Sequence, residues 1–209
     1  MESIIAPVAV HYNQVANRIP YRYSSLLPGR NSIRLLRVMP NKDATAPIKC
    51  QLFDYSLDSD KGIHLYEAIS YVWGDPDKTR PIFIGKYYFK VTENLYSALL
   101  HLRNNSIERI IWVDAVCINQ ANEQEKAHQI QSMTKIYGLA NRVIVWLGET
   151  ADNSHQALEA IRIAASRRPT DSLNYEMIQY AILNLLKRPW FRRIWVSNRC
   201  SKYQLKLLK

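Results

Sequence analysis

The chemistry open to this chain sits where apolar runs give way to polar residues. Residues 110–113 form a short β-branched run that stops at Asp114, and Cys117, Asn119, Gln120 and Glu125 follow it. Residues 68–72 form another such run, with Ser70 inside it and Trp73-Gly74-Asp75-Pro76 as the turn leaving it. Polar side chains just past the carboxyl ends of parallel strands are where ligands bind in open α/β sheets. Asp114 and Glu125 are the carboxylates nearest in sequence to such an end. Each also has a plainer use, Asp114 as the cap of the following turn and Glu125 as a favourable charge at a helix N-terminus. Asn119 and Gln120 can equally bind a ligand or satisfy loop backbone. Cys117 fits a small buried residue better than a nucleophile, because the sequence places no His beside it. His128 reads as a surface or core residue rather than a general base.

The elements that must hold these residues are readable. Residues 143–147 form a further apolar run ending at Gly148. Between it and the run at 110–113, Ala127, Ile130, Met133 and Tyr137 recur at helical spacing, with Asn122 as the cap ahead of Glu123 and Glu125. Strand, helix and strand in this compass make one βαβ unit. Upstream, residues 33–38 and 48–54 pair as a hairpin, and 81–84 and 87–91 pair across Gly85-Lys86. Thr92 caps a helix with Leu95, Ala98, Leu99 and Leu102 on one face. Downstream, Ser154 or Asp152 caps a helix carrying Ala157, Leu158, Ile161 and Ala165. A break around Pro169 leads to a last helix with Ile178, Ala181, Ile182, Leu185 and Leu186 inward, ended before Pro189. Residues 190–196 are aromatic and read as a buried turn plus strand. Most of the five tryptophans are core payload, and Trp73, on an exit turn, is the exception.

The totals narrow the classes. The chain has 209 residues, 47% hydrophobic and 22% charged, enough for one globular domain. No apolar run reaches the roughly 18 residues of a membrane span, and the N-terminus makes a poor signal peptide. Three widely separated cysteines form neither a metal-spaced pair nor a disulfide framework, which favours a reducing cytoplasmic setting and no metal. The net charge of +10 is concentrated: residues 187–209 hold eight Lys and Arg and no Asp or Glu, leaving +2 on the rest. A solvated basic tail explains this better than a nucleic-acid site.

Four blocks then stand in order: Tyr66-Glu-Ala-Ile-Ser-Tyr-Val-Trp-Gly-Asp75, Trp112-Val-Asp-Ala-Val-Cys-Ile-Asn-Gln120, Val143-Ile-Val-Trp-Leu-Gly148 and Arg188-Pro-Trp-Phe-Arg-Arg-Ile-Trp-Val196. Together with Glu125, Gln129, Met133 and Tyr137 they resemble the fungal heterokaryon incompatibility (HET) domain. On that basis residues 1–20 are a loose leader, 21–196 a HET domain incomplete at its C-terminus, and 197–209 a divergent basic tail. The abrupt change after Val196, and Lys126 in place of the usual Arg, are the departures. The first points to a truncated or mis-spliced reading frame, which sequencing the transcript would decide.

The resemblance implies a cytoplasmic fungal protein of non-self recognition and programmed cell death. It also implies distant similarity to Toll/interleukin-1 receptor (TIR) domains: an α/β fold with a central, mostly parallel sheet flanked by helices, here with an N-terminal β-hairpin extension. Some TIR domains hydrolyse NAD and others only assemble. An NAD-cleaving member needs a carboxylate at the nicotinamide ribose, an aromatic or apolar wall, and backbone donors for the pyrophosphate. Glu125 is the expected carboxylate and Glu159, close to the TIR spacing, the runner-up. Ser70, Trp73, Gly74, Asp75, Asp114, Asn119 and Gln120 are the expected ligand-binding set. NAD would enter as substrate, with no cofactor required. The expected partners are a second copy or other HET and NLR-type proteins.

Overall fold

A computed structural model describes residues 18–26, 31–58, 64–151, 153–165, 175–192 and 205–208. Eight strands form one mixed sheet: β1 (Ser32–Val38), β2 (Lys49–Ser56), β3 (His64–Ser70), β4 (Thr79–Ile84), β5 (Tyr87–Thr92), β6 (Arg109–Trp112), β7 (Ala140–Trp146) and β8 (Leu205–Leu208). Among the described residues, five helices accompany it: α1 (Glu93–Leu102), α2 (Asp114–Cys117), α3 (Glu123–Leu139), α4 (Ser154–Ala165) and α5 (Tyr175–Leu186), followed by a 3-10 turn at Pro189–Arg192.

The strand order is β5-β4-β2-β1-β6-β3-β7-β8. The half from β6 to β8 is parallel throughout. The β1–β2 hairpin joins this half antiparallel to β6, and the β4–β5 hairpin extends it parallel to β2. Both expected hairpins are therefore present, and the α/β class holds. The βαβ unit is present with one difference: β3 lies between its two strands, pairing Glu67 with Ile111 on one side and Arg142 on the other. Three crowded strands put like-with-unlike charges at that level. Glu67 binds Arg109 at 2.8 Å and Arg142 at 2.9 Å.

Burial explains the pattern. Ile111, Trp112 and residues 143–146 are buried on both sides, as parallel strands flanked by helices require. Thr92 caps α1 through the N–H of Leu95, and Asn122 caps α3 through the N–H of Glu125. The expected inner face of α3 is corrected. Ala127 and Ile130 (52%) are exposed, whereas Tyr137 is buried as expected, Met133 packs against the core, and Gln129 and Ile136 are buried beside them. The helix rotates because Gln129 donates to the Ser32 carbonyl at 2.8 Å and Tyr137 to the Ile69 carbonyl at 3.0 Å, so bonded polar groups occupy the interface. On α4 and α5, Ala157, Ala181 and Leu185 face inward as expected, while Ile161 and Leu186 are exposed. These helices pack with Val145, Leu147 and Trp190 in a cluster of their own, apart from the main core.

The first central strand starts and ends earlier than residues 68–72, at His64 and Ser70. Residues 19–21 lie along β5, with the Tyr21 N–H donating to the Tyr88 carbonyl at 2.8 Å. Four residues of the basic tail, Leu205–Leu208, form a strand at the sheet edge, parallel to β7. Asp152, the break around Pro169 and residues 193–196 lie outside the described residues.

Candidate functional site

Glu125 opens α3, three residues past its cap Asn122. Its carboxylate turns back across the preceding loop. Oε1 accepts the Asn119 N–H at 2.8 Å and Arg34 Nη1 at 2.6 Å, and Oε2 accepts Arg34 Nη2 at 3.1 Å. This is a two-point pair between planar groups. Arg34 is a charged residue inside the apolar strand β1, its side chain only 2% exposed against 11% for Glu125. Nη2 and Nη1 also donate to the Ser24 carbonyl at 2.8 Å and the Cys117 carbonyl at 3.4 Å, while Nε makes no hydrogen bond. Asp54 stands 3.9 Å from Nε, and the Tyr23 ring covers the guanidinium at 5.0 Å. Burial works to lower the Arg34 pKa, and the bond and charge of Glu125 override it, leaving the pKa raised. Burial likewise raises the Tyr23 phenol, whose hydroxyl donates to the Val116 carbonyl at 2.8 Å. Cys117 and Glu125 are thereby fastened to β1, and Val116 to the segment that carries Tyr23.

A cavity of about 330 Å³ lies beside this pair, between Ser25, Leu26 and the first turns of α3, and Glu125, His128 and Gln129 contribute to its wall. It is a groove open to solvent and lined mainly by polar side chains, unlike the enclosed apolar pockets that bury most small ligands.

The carboxyl ends of β3 and β6 form a second locus. Trp73, 43% exposed, donates its indole N–H to Asp114 Oδ2 at 3.1 Å. Asp114 Oδ1 accepts the Ala115 N–H at 2.8 Å at the head of α2. Gln120 donates to the Asp114 carbonyl at 2.9 Å, and Asn119 Oδ1 accepts the Ala121 N–H at 3.2 Å. Gly74 holds φ +83°, and a Cβ there would meet the Asn94 Cβ at 3.1 Å. Asn94 in turn donates to the Val72 carbonyl at 2.6 Å and accepts the Trp146 indole at 2.8 Å. Gly is thus needed for both conformation and space. Asp75 accepts the Asp77 N–H at 3.0 Å in its own turn.

The expected site residues therefore divide. Trp73, Asp114 and Gln120 are joined through bonds, and Asn119 joins Glu125. Ser70 is buried and accepts the Trp190 indole at 3.0 Å. Glu159 is tied to Arg162 at 2.6 Å on α4. Burial pushes the Cys117 thiol up to about 12, so it stays protonated and unreactive. Among the described residues no cluster of His, Cys, Asp and Glu is set to hold a metal, and no helix is long and apolar enough to cross a membrane.

Three residues central to this arrangement were not singled out in the sequence. Arg34 carries the one available signal, a cation between Ile33 and Leu35 that demands a buried partner. Asn94 carries none beyond its place in α1. Arg188 stands in a recognised block, but its role is visible only in space: it donates to the carbonyls of Leu147 at 2.9 Å and Ala151 at 3.2 Å.

The profile of the "Heterokaryon incompatibility protein (HET)" family matches residues 66–198, more than half of the chain. A curated relative, "Heterokaryon incompatibility protein 6, OR allele" of Neurospora crassa, is 31% identical over 158 residues, 69% of this chain. The aligned region makes up 23% of that relative, so the chain spans well under two thirds of its length. No solved structure matches significantly. The first three blocks recognised in the sequence carry β3, β6 and β7, Arg188 and Trp190 of the fourth reach Leu147 and Ser70, and the chain belongs to the heterokaryon incompatibility (HET) family.

Proposed function

We propose that this chain serves heterokaryon incompatibility as an assembly module in fungal non-self recognition. It promotes cell death by binding a second copy or other HET and NLR-type proteins, and it breaks no bond itself. The observation that carries this reading is the state of Glu125. Both of its oxygens are held by Arg34 and one also takes a backbone N–H. A carboxylate that must stabilise charge developing on a sugar needs a free face, and this one is already neutralised by a buried cation. Glu159, the other carboxylate, is paired on a surface helix. The name of the Neurospora relative supports the incompatibility role.

The test is expression in a fungal host with parallel assay of the purified protein on NAD. Loss of viability without nicotinamide release, unchanged in Glu159→Gln, is the expected result. Nicotinamide release that disappears in a folded Glu125→Gln or Glu159→Gln variant overturns it. That outcome belongs to a second reading, TIR-like NAD hydrolysis, which one observation favours: Glu125 and His128 both line the 330 Å³ cavity.

A further inference from the structure

We propose that two copies of this chain pair through the outer face of α5, antiparallel and about a two-fold axis. The inference rests on the assembly reading and names one of its surfaces.

Helix α5 turns Ala181 and Leu185 into the cluster shared with Val145, Leu147 and Trp190. On the opposite side, Glu176, Tyr180, Leu183 and Lys187 follow one another at helical spacing, all exposed. A surface helix ordinarily places polar residues there. Instead Tyr180 is 64% and Leu183 57% exposed, with Leu186 beside them at 50%. This apolar centre is bounded by an acid at one end and a base at the other.

The order of those four residues selects the occupant. Their midpoint falls between Ala181 and Ile182, with Glu176 and Lys187 equally far from it, and Tyr180 and Leu183 likewise. Laid against itself in the reverse direction, the stripe sets Glu176 of one copy opposite Lys187 of the second, twice, and Tyr180 opposite Leu183, twice. That is an isologous, self-complementary patch. A parallel pairing would oppose Glu176 to Glu176 and Lys187 to Lys187, which costs energy. The apolar surface offered by Tyr180, Leu183 and Leu186 is on the order of 400 Å² per copy, about half of the ~800 Å² of a standard interface. The pair is therefore weak, and protein concentrations from about 1 µM to several hundred µM are the range in which to seek it.

Sedimentation velocity of the 209-residue chain across that concentration range reads the equilibrium. The expected result is a shift from monomer to dimer that Leu183→Asp weakens at least about tenfold, with an unchanged circular dichroism spectrum because the position is on the surface. Glu176→Lys and Lys187→Glu each weaken self-association, and the double variant Glu176→Lys/Lys187→Glu restores it. An equimolar mixture of the two single variants pairs more tightly than either alone. A chain monomeric throughout, a dimer indifferent to Leu183→Asp, or a double variant that fails to recover each overturns the inference. A dimer that ignores Leu183→Asp removes this face while leaving the assembly reading in place. Nicotinamide release removes that reading while leaving this face in place.

Discussion

Replacing Glu125 should cost stability before it costs anything else. Glu125→Ala leaves Arg34, 2% exposed in its side chain, with carbonyl partners and an Asp54 oxygen 3.9 Å away. Breaking a buried pair by removing one member costs about 3–5 kcal/mol. The residual partners at Ser24 and Cys117 place this case at the lower end, near 3 kcal/mol. For a chain of this size that is a fall of roughly 6–12 °C in Tm. Glu125→Gln keeps the shape and one acceptor oxygen but loses the charge, and falls between the two. The control is Glu159→Gln, whose pair with Arg162 is exposed and whose loss should lie within about 0.5 kcal/mol. Urea unfolding followed by tryptophan fluorescence measures all three, and Arg34→Met/Glu125→Leu should recover part of the loss because it removes both charges together. If Glu125→Ala and Glu159→Gln unfold at the same urea concentration, the view of Glu125 as a fastening residue is wrong. The carboxylate would then be free for chemistry.

Gly74→Ala should lose about 1–3 kcal/mol, since φ +83° and the Asn94 Cβ at 3.1 Å both oppose a side chain, whereas Gly85→Ala, with φ +59° and open space, should lose less; thermal unfolding separates them. Trp190→Phe removes the bond to Ser70 and should cost about 1–2 kcal/mol, with faster amide exchange in α4 and α5 than in β1–β3, read by hydrogen exchange mass spectrometry. Burial raises the Cys117 thiol from 9.0 to about 12 and raises Cys50 in the same direction. A raised folded pKa stabilises fully below the unfolded value and fades as pH climbs towards the folded one. Stability should hold to about pH 8 and then fall between pH 9 and 12, by up to ~1.4 kcal/mol per pH unit for each thiol. Urea midpoints measured against pH in the wild type and in Cys117→Ala should show a shallower alkaline slope in the variant.

Much of the fold was legible because its signals are local. Thr92 and Asn122 announce their helices through short polar side chains that reach a nearby N–H. The run at 143–146 reads as a buried strand from its β-branched content alone. What was hidden is what depends on distant partners. No spacing rule puts β3 between β6 and β7, because pairing order is settled by sheet packing across the whole chain. The rotation of α3 that exposes Ile130 comes from Gln129 meeting Ser32, a residue 97 positions away. The site was half visible for the same reason. The polar residues past the strand ends were named from their positions, and Trp73 does meet Asp114 there. That Ser70 serves Trp190 and Glu125 serves Arg34 follows from contacts 120 and 91 positions apart in the chain.

The place of β3 has a consequence for how the chain is made. His64–Ser70 leaves the ribosome long before Arg109–Trp112 and Ala140–Trp146, the two strands that will hydrogen-bond its edges. Until then Ala68, Ile69 and Ser70 offer unpaired backbone and apolar side chains to any extended neighbour. Closing both edges requires two long-range pairings, which slows folding. The β1–β2 hairpin, complete by Ser56, and the β4–β5 hairpin, complete by Thr92, are available in the meantime, but neither pairs with β3. Until Ala140–Trp146 has emerged, β3 therefore keeps an open edge in the middle of the growing sheet.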